Sequence, residues 1–147
     1  MFIDHGVAEM IMRPKDFDVI LTTNLFGDIL SDAAGVITGS VRLIPSASIG
    51  EKTALYEPIY SAFPQGVRTL YANPIAIILS VAMMMEGFNL RNEARAIRTT
   101  VTKVLRSGYG TPDLGLEYEI SAGEMGDLMA ANIIEHEHHF YLPDSLI

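Results

Sequence analysis

Two aspartates within the stretch NLFGDILSD, residues 24–32, have the side-chain types and spacing best suited to chemistry. Asp28 and Asp32 stand four residues apart, so a helix would place both carboxylates on one face, one turn apart. Such a pair repels unless a cation lies between, and hard oxygen ligands suit Mg²⁺ or Mn²⁺. The alternative is a solvated acidic face on an amphipathic helix, which spacing alone favours.

The elements that must position these aspartates follow from the apolar pattern around them. An apolar run over residues 17–21 predicts a buried strand. A turn over residues 22–24 follows, and Thr23 or Asn24 is expected to cap a helix whose dipole favours the charge on Asp28. The pair should therefore lie on a helix that begins directly after a strand.

A second helix is predicted upstream of that strand. Apolar residues recur at helical spacing over residues 4–12, and Arg13 with Pro14 should end the helix. Asp4 is a candidate N-cap at its start. Downstream, Gly35 and Gly39 should mark the end of the helix that carries the aspartate pair.

The rest of the chain completes an α/β pattern. Asn73 and Pro74 are typical of a helix start, and the methionines at 83–85 are interpreted as core filling rather than as ligands. The His/Glu-rich residues 135–139 are interpreted as a solvated terminus, with a metal site as the alternative. The predicted elements are loops over residues 42–50 and 61–71, a strand over 55–60, and helices over 75–86, 90–106 and 121–134.

Composition excludes several classes of protein. A chain of 147 residues with 49% apolar and 19% charged residues suits one globular domain. The net charge of −8 disfavours a nucleic-acid surface, and the absence of cysteine excludes disulfides and thiolate metal sites. The longest apolar run, residues 75–85, is too short to span a bilayer, so no membrane association is expected.

Six ordered blocks cover most of the chain and together carry a family resemblance. They resemble the signature of the β-decarboxylating hydroxyacid dehydrogenases, the isocitrate/isopropylmalate dehydrogenase family. The blocks are NLFGDILSD at 24–32, ITGS at 37–40, LIPSAS at 43–48, LYEP at 55–58, ANP at 72–74 and EMGD at 124–127.

This resemblance implies a metal site, a dimer and a division into domains. Asp28 and Asp32 would bind Mg²⁺ or Mn²⁺ together with Asp4, which would reach the site of the other subunit in a homodimer. The dimer contact is expected from the helices near 4–12 and 26–36. Residues 1–39 would belong to the central, dimerisation domain and residues 40–147 to the C-terminal part of the cofactor-side domain.

The activity that the resemblance implies is the NAD-dependent oxidative decarboxylation of 3-isopropylmalate, a cytoplasmic step of leucine biosynthesis. Isocitrate, homoisocitrate or tartrate are alternative substrates, and a non-catalytic, degenerate chain is a further alternative. The family's catalytic lysine and tyrosine are expected upstream of this sequence, which supplies no catalytic residue of its own. We therefore expect this portion to be incomplete and inactive alone.

The region implied to bind NAD departs from the family pattern, which places NAD binding in doubt. Tyr60 stands where the family has a histidine, Phe63 is larger than the small residue usual there, and Gln65 replaces an acid. An amide can hydrogen-bond a ribose hydroxyl but offers no charged acceptor. The implied cofactor-binding residues are Glu57, Tyr60, Ser61, Ala62, Phe63, Gln65, Ala72 and Asn73.

Overall fold

A computed structural model describes residues 1–60 and 72–140, with side chains described through residue 134. The predicted α/β class is confirmed, and 3-10 turns at Pro14–Asp16, Val41–Leu43 and Pro112–Leu114 link several elements. Within these ranges no helix is long and apolar enough to cross a bilayer. The elements are α1 Ile3–Met12, α2 Asn24–Thr38, β1 Pro45–Ile49, β2 Ala54–Pro58, α3 Ile75–Gly87, α4 Arg91–Arg106, β3 Tyr109–Gly110, β4 Tyr118–Glu119 and α5 Ala122–Phe140.

Helices α3, α4 and α5 enclose the main core. Their buried apolar side chains recur at the helical spacing that is visible in the sequence. The predicted bounds of α3 and α4 agree closely with the observed ones. Helix α5 begins as predicted but runs to Phe140, beyond the expected end at residue 134. The core residues are Ile75, Val101, Val104, Met125 and Met129.

Strands β1 and β2 form an antiparallel hairpin that packs against α3. Ala47 lies opposite Tyr56 in the register, and the Ser80 hydroxyl donates to the Glu57 carbonyl oxygen at 3.0 Å. The predicted loop over residues 42–50 is therefore wrong, because it contains β1. Serine-rich sequence has low strand propensity, and pairing with β2 overrides it. A separate parallel pair joins β3 to β4.

The predicted buried strand at residues 17–21 is also wrong. No strand is formed there, and Val19 and Leu21 are 88% and 97% exposed. A strand requires a hydrogen-bonded neighbour, and none of the strands in the described ranges pairs with this segment. The segment instead connects the turn at Pro14–Asp16 to α2 without regular structure.

Several details at the helix ends differ from the sequence expectations. Phe2, not Asp4, occupies the N-cap of α1, so Asp4 lies inside the first turn. Thr23 occupies the N-cap of α2, but its side chain makes no capping bond. Asp28 lies beyond the first turn, where the helix dipole has little effect.

The glycines near the end of α2 have different roles. Gly39 ends the helix in the left-handed region at φ 91°, as expected for a glycine after the last turn. Gly35 lies inside the helix and is buried, because the Val41 side chain packs where a Cβ would stand. Gly35 therefore serves close packing rather than helix termination.

Candidate metal and cofactor site

The aspartate pair lies on an exposed face of α2. Asp28 and Asp32 are one turn apart on this 15-residue helix, and both side chains are exposed. Neither has a hydrogen-bond or ion-pair partner among the described residues. Their carboxylates are thus available for an external cation or donor.

Asp4 lies on the neighbouring helix α1, which packs against α2, and it is exposed as well. Among the described residues, no three acidic or histidine side chains are close enough together to hold a metal ion. One copy of these ranges therefore does not join Asp4 to Asp28 and Asp32 in a three-carboxylate site. A third ligand would have to come from elsewhere.

The available donors fit one class of metal. Carboxylate oxygens on an exposed helix face suit Mg²⁺ or Mn²⁺, which retain several waters when a protein supplies only one or two ligands.

On α1, a hydrogen bond from Arg13 lowers the pKa of Glu9 from its ordinary value of 4.5. Glu9 is therefore already engaged within the protein, unlike the aspartate pair.

The implied cofactor residues lie at the hairpin and at the start of α3. Glu57 on β2 has an exposed carboxylate with no protein partner among the described residues. The Tyr60 hydroxyl donates to the Asn73 carbonyl oxygen at 3.1 Å, which joins the end of the hairpin to the residues before α3. Ala72 is partly buried beside Asn73, whereas Ser61, Ala62, Phe63 and Gln65 lie outside the described residues.

Asn73 is buried and fully engaged within the fold. It is only 4% exposed, and its Oδ1 accepts from the Ile75 backbone N–H at 2.9 Å. Pro74, not Asn73 as predicted, occupies the N-cap, but the Asn73 side chain still satisfies the first N–H of α3. Its Nδ2 donates to Asp113 Oδ2 at 3.1 Å. Both amide atoms are therefore occupied, so Asn73 fixes the backbone at this point instead of offering a free side chain to a ligand.

Asp113 is the residue that the sequence reasoning missed. Its side chain, 10% exposed, lies 3.9 Å from the Arg42 guanidinium and accepts a 2.6 Å hydrogen bond from Thr111. Ser40 donates to the same carboxylate at 3.3 Å. Together with Asn73, these contacts join segments far apart in sequence, which we call the Asp113 junction. The turn residues Thr-Pro-Asp after Gly110 were its only local signal.

Comparison with known proteins agrees with the resemblance. The sequence profile described as isocitrate/isopropylmalate dehydrogenase matches residues 1–129. A 3-isopropylmalate dehydrogenase from Moorella thermoacetica is 45% identical over 139 residues, which are 92% of this chain and 39% of that protein. A 3-isopropylmalate dehydrogenase from Thermotoga maritima is 45% identical over 138 residues, with the same 92% and 39% shares.

Solved structures give the same result for the fold. The crystal structure of isocitrate dehydrogenase from Methylococcus capsulatus superposes with a TM-score of 0.85 at 36% identity, covering 90% of this chain and 40% of that one. A β-decarboxylating dehydrogenase from Thermococcus kodakarensis gives 0.84 at 32% identity, covering 99% and 43%.

The match covers only part of the length of each relative. The chain spans about two-fifths of the length of the curated relatives it matches. The residues described above thus correspond to a part of a larger α/β architecture. On the profile match over residues 1–129, this chain belongs to the isocitrate/isopropylmalate dehydrogenase family.

Proposed function

We propose that this chain supplies the metal-binding carboxylates and part of the cofactor side of an NAD-dependent dehydrogenase. The reaction is the oxidative decarboxylation of 3-isopropylmalate to 2-oxoisocaproate, in the cytoplasmic pathway of leucine biosynthesis. The relatives named 3-isopropylmalate dehydrogenase support this substrate. The observation that carries the proposal is the exposed pair Asp28 and Asp32 on α2, whose carboxylates have no partner among the described residues.

In this proposal the pair holds Mg²⁺ or Mn²⁺, and Asp4 of a second copy completes the ligand set. The bound cation would polarise the substrate hydroxyl and stabilise negative charge on that oxygen as CO₂ departs. The role of the chain is to hold the two carboxylates on one face of α2, where no cationic side chain among the described residues pairs with them. Their single-turn spacing on α2 fixes the separation of the two side chains.

The exposed apolar surface of α1 and α2 supports the proposal of a homodimer through these helices. Met12 on α1 and Leu25, Ile29 and Val36 on α2 are exposed large apolar residues. Their burial against the same surface of a second copy would be favourable, and such an interface is self-complementary. It would also bring Asp4 of one copy toward the pair of the other.

The cofactor contribution rests on Glu57 and the anchored residues beside it. The Glu57 carboxylate, which has no partner among the described residues, can accept hydrogen bonds from cofactor hydroxyl or amide groups. Tyr60 and Asn73 fix the two ends of the intervening segment through their mutual hydrogen bond. Phe63 and Gln65 change the family pattern within that segment, so we expect NAD to bind more weakly than in the relatives.

Two alternatives have specific support. The structural likeness to isocitrate dehydrogenase, at 36% identity, favours a related 2-hydroxy acid such as isocitrate, homoisocitrate or tartrate as the substrate. The altered segment between Tyr60 and Gln65 favours a non-catalytic member that retains the helices but not the cofactor site. We expect the family's catalytic lysine and tyrosine to lie outside residues 1–147, so this span alone should not turn over substrate.

Calorimetric titration of Mn²⁺ into the purified chain tests the metal proposal. We expect binding that weakens by at least about tenfold, equivalent to about 1.4 kcal/mol, when Asp28→Asn and Asp32→Asn are combined. Asp127→Asn, which removes an exposed carboxylate on α5, is the matched control and should leave binding unchanged. Equal affinity in the double variant and the control would contradict the proposal.

A further inference from the structure

Helix α4 concentrates positive charge in an acidic chain. It carries five of the ten lysines and arginines and one acid, Glu93, so its net charge is +4. The rest of the chain therefore has a net charge of −12, within the total of −8. A strongly basic element in an otherwise acidic protein attracts anionic groups to that element alone.

Four of these cations share one side of the helix. Arg91, Arg95, Arg98 and Arg106 recur at helical spacing, and we call this side the α4 arginine face. It runs the length of α4, which is about 22 Å from the first arginine to the last. Arg91, Arg95 and Arg106 are exposed, and none of the three has a partner among the described residues. Clefts of about 490 and about 510 Å³ adjoin the face, and Arg98 lines both.

The contact of Arg98 shows which chemical group this face accommodates. Its guanidinium donates to both carboxylate oxygens of Glu86 on α3, at 3.0 and 3.3 Å. Arginine recognises carboxylates most strongly in this two-pronged geometry. Arg91 and Arg95 line the same cleft as this pair. Two further guanidinium groups therefore remain beside it for carboxylates from outside the chain.

The stability of α4 does not explain this arrangement. Arg91 and Arg95 stand one turn apart, so their charges repel each other. Arg91 is also the first residue of the helix, where the helix dipole disfavours a positive charge. An arrangement that costs local stability without a compensating contact is typical of a functional surface. Binding of an anionic partner would supply that compensation.

The neighbouring residues favour a polypeptide as the anionic partner. Phe88 and Leu90, directly before α4, are 64% and 41% exposed. Aromatic residues and arginines are the types enriched in protein interfaces. A nucleic acid would extend beyond α4, where the net charge of −12 on the rest of the chain repels phosphates.

We propose that the α4 arginine face is a docking site for an acidic helical segment of another protein. Carboxylates one turn apart on a second helix have the same spacing as Arg91 and Arg95, so several pairs can form along the face. An apolar side chain at the end of the segment contacts Phe88. The inference goes beyond the proposed function, because it requires neither metal nor cofactor.

Fluorescence anisotropy of a labelled synthetic peptide tests the proposal. The peptide is a helix as long as α4, with glutamates at the spacing of the arginines and a leucine at one end. We expect saturable binding to the purified chain that weakens at least about fivefold between about 0.05 M and about 0.5 M salt, because exposed charges are screened. The same peptide with glutamine in place of each glutamate should not bind.

A pair of arginine substitutions locates the binding site. Arg91→Gln combined with Arg95→Gln removes two exposed ion pairs and should weaken peptide binding at least about fivefold. The matched control is Lys15→Gln with Lys52→Gln, which changes the net charge equally at exposed residues outside α4 and should bind normally. The thermal midpoint of the arginine variant should stay the same or rise, because a repulsive pair is removed. A purely structural role of these arginines would lower it.

Substitution of Phe88 separates a polypeptide from other polyanions. Phe88→Ala should weaken peptide binding at least about threefold, because the apolar contact is lost. Ile49→Ala, at an exposed apolar residue on the β1–β2 hairpin, is the matched control and should leave binding unchanged. Binding that is insensitive to Phe88→Ala would indicate recognition by charge alone and contradict the choice of a polypeptide.

Four further results would overturn the proposal. They are no saturable peptide binding at low salt, equal loss of binding in the arginine variant and the lysine control, and tighter binding of a polyuridine oligonucleotide of the same charge. The fourth is self-association of the chain that the arginine variant abolishes, which would identify a second copy as the occupant. Titration of Mn²⁺ tests residues on α1 and α2 instead, so either proposal can fail while the other stands.

Discussion

Residues 1–39 and residues 75–129 differ in how they cover their apolar side chains. In the later region α3, α4 and α5 bury a contiguous cluster that includes Ile75, Val101 and Met125. In the earlier region Met10 is the buried large apolar residue, while Leu21 and Val36 among others remain exposed. The later region should hold its own structure, whereas the apolar side chains of the earlier region would gain stability from any partner that buries them.

This difference matters because the candidate metal ligands all lie in the less covered region. Asp4, Asp28 and Asp32 are on α1 and α2, which pack against each other, and α2 packs equally against the turn at Val41–Leu43. A site on helices with little buried surface is not rigid until those helices are covered. The geometry of the site should therefore depend on the dimer partner proposed above.

The largest expected effect comes from truncating the core of the later region. Met125 on α5 is fully buried in the core cluster, so Met125→Ala should lower the free energy of unfolding by about 2–5 kcal/mol. Leu21→Ala removes an exposed side chain and should have no measurable effect on the same quantity. Urea unfolding followed by circular dichroism measures both.

These two variants test directly whether the two regions differ in how much their apolar side chains contribute to stability. If Leu21→Ala destabilised the free chain as much as Met125→Ala, residues 1–39 would already share one cooperative core with the later region. Ile134→Ala, at an exposed position on α5, serves as the control for truncation outside the core.

A smaller loss is expected at the Asp113 junction. Asp113→Ala leaves the Asn73 amide and the Thr111 hydroxyl without their acceptor, and unpaired buried donors cost about 1–3 kcal/mol. Glu119→Ala, at an exposed position on β4, should be close to neutral. Amide exchange at Ile75 should also accelerate, because Asn73 caps α3 there. Unchanged stability in the Asp113 variant would show that the junction does not join these segments.

The smallest effect should depend on pH. The backbone N–H of Ser121, and then its hydroxyl, donate to Glu124 at the start of α5 and lower the pKa of Glu124 from 4.5. A lowered pKa in the folded state stabilises the protein above pH 4.5, and that contribution is lost as the pH falls through the lowered value. The wild-type chain should therefore unfold at a higher temperature than Glu124→Gln at neutral pH.

Thermal scans between neutral and strongly acidic pH check this expectation. The gap between the wild type and Glu124→Gln should close as the pH falls through the lowered pKa of Glu124, since both side chains are then uncharged. A gap that persisted in acid would mean that the carboxylate charge contributes nothing to this cap.

Local sequence patterns predicted the helices of the later region well. The apolar spacing of α3 and α4 and the Asn73 cap are local signals, and tertiary packing reinforces them. The β1–β2 hairpin was only half predicted, because β1 acquires its strand structure from its partner β2 rather than from its own residues.

The strand prediction for residues 17–21 was wrong for the opposite reason. Its residues favour a strand, but the described ranges contain no partner strand for it, so the propensity is not realised. The Asp113 junction could not be predicted either, since its contacts join residues up to 73 positions apart. Helical spacing alone was enough to predict that the aspartate pair shares one face of a helix. Its assignment as a metal site came from the family resemblance.

The most direct test of the proposed function is to replace the matched region of the Moorella 3-isopropylmalate dehydrogenase with residues 1–147. NADH formation is then measured with 3-isopropylmalate and Mn²⁺. Our account predicts an active hybrid whose rate falls by at least about a hundredfold with Asp28→Asn, because several kcal/mol of charge stabilisation would be lost. A folded hybrid that forms no NADH, or one that is insensitive to Asp28→Asn, would contradict it.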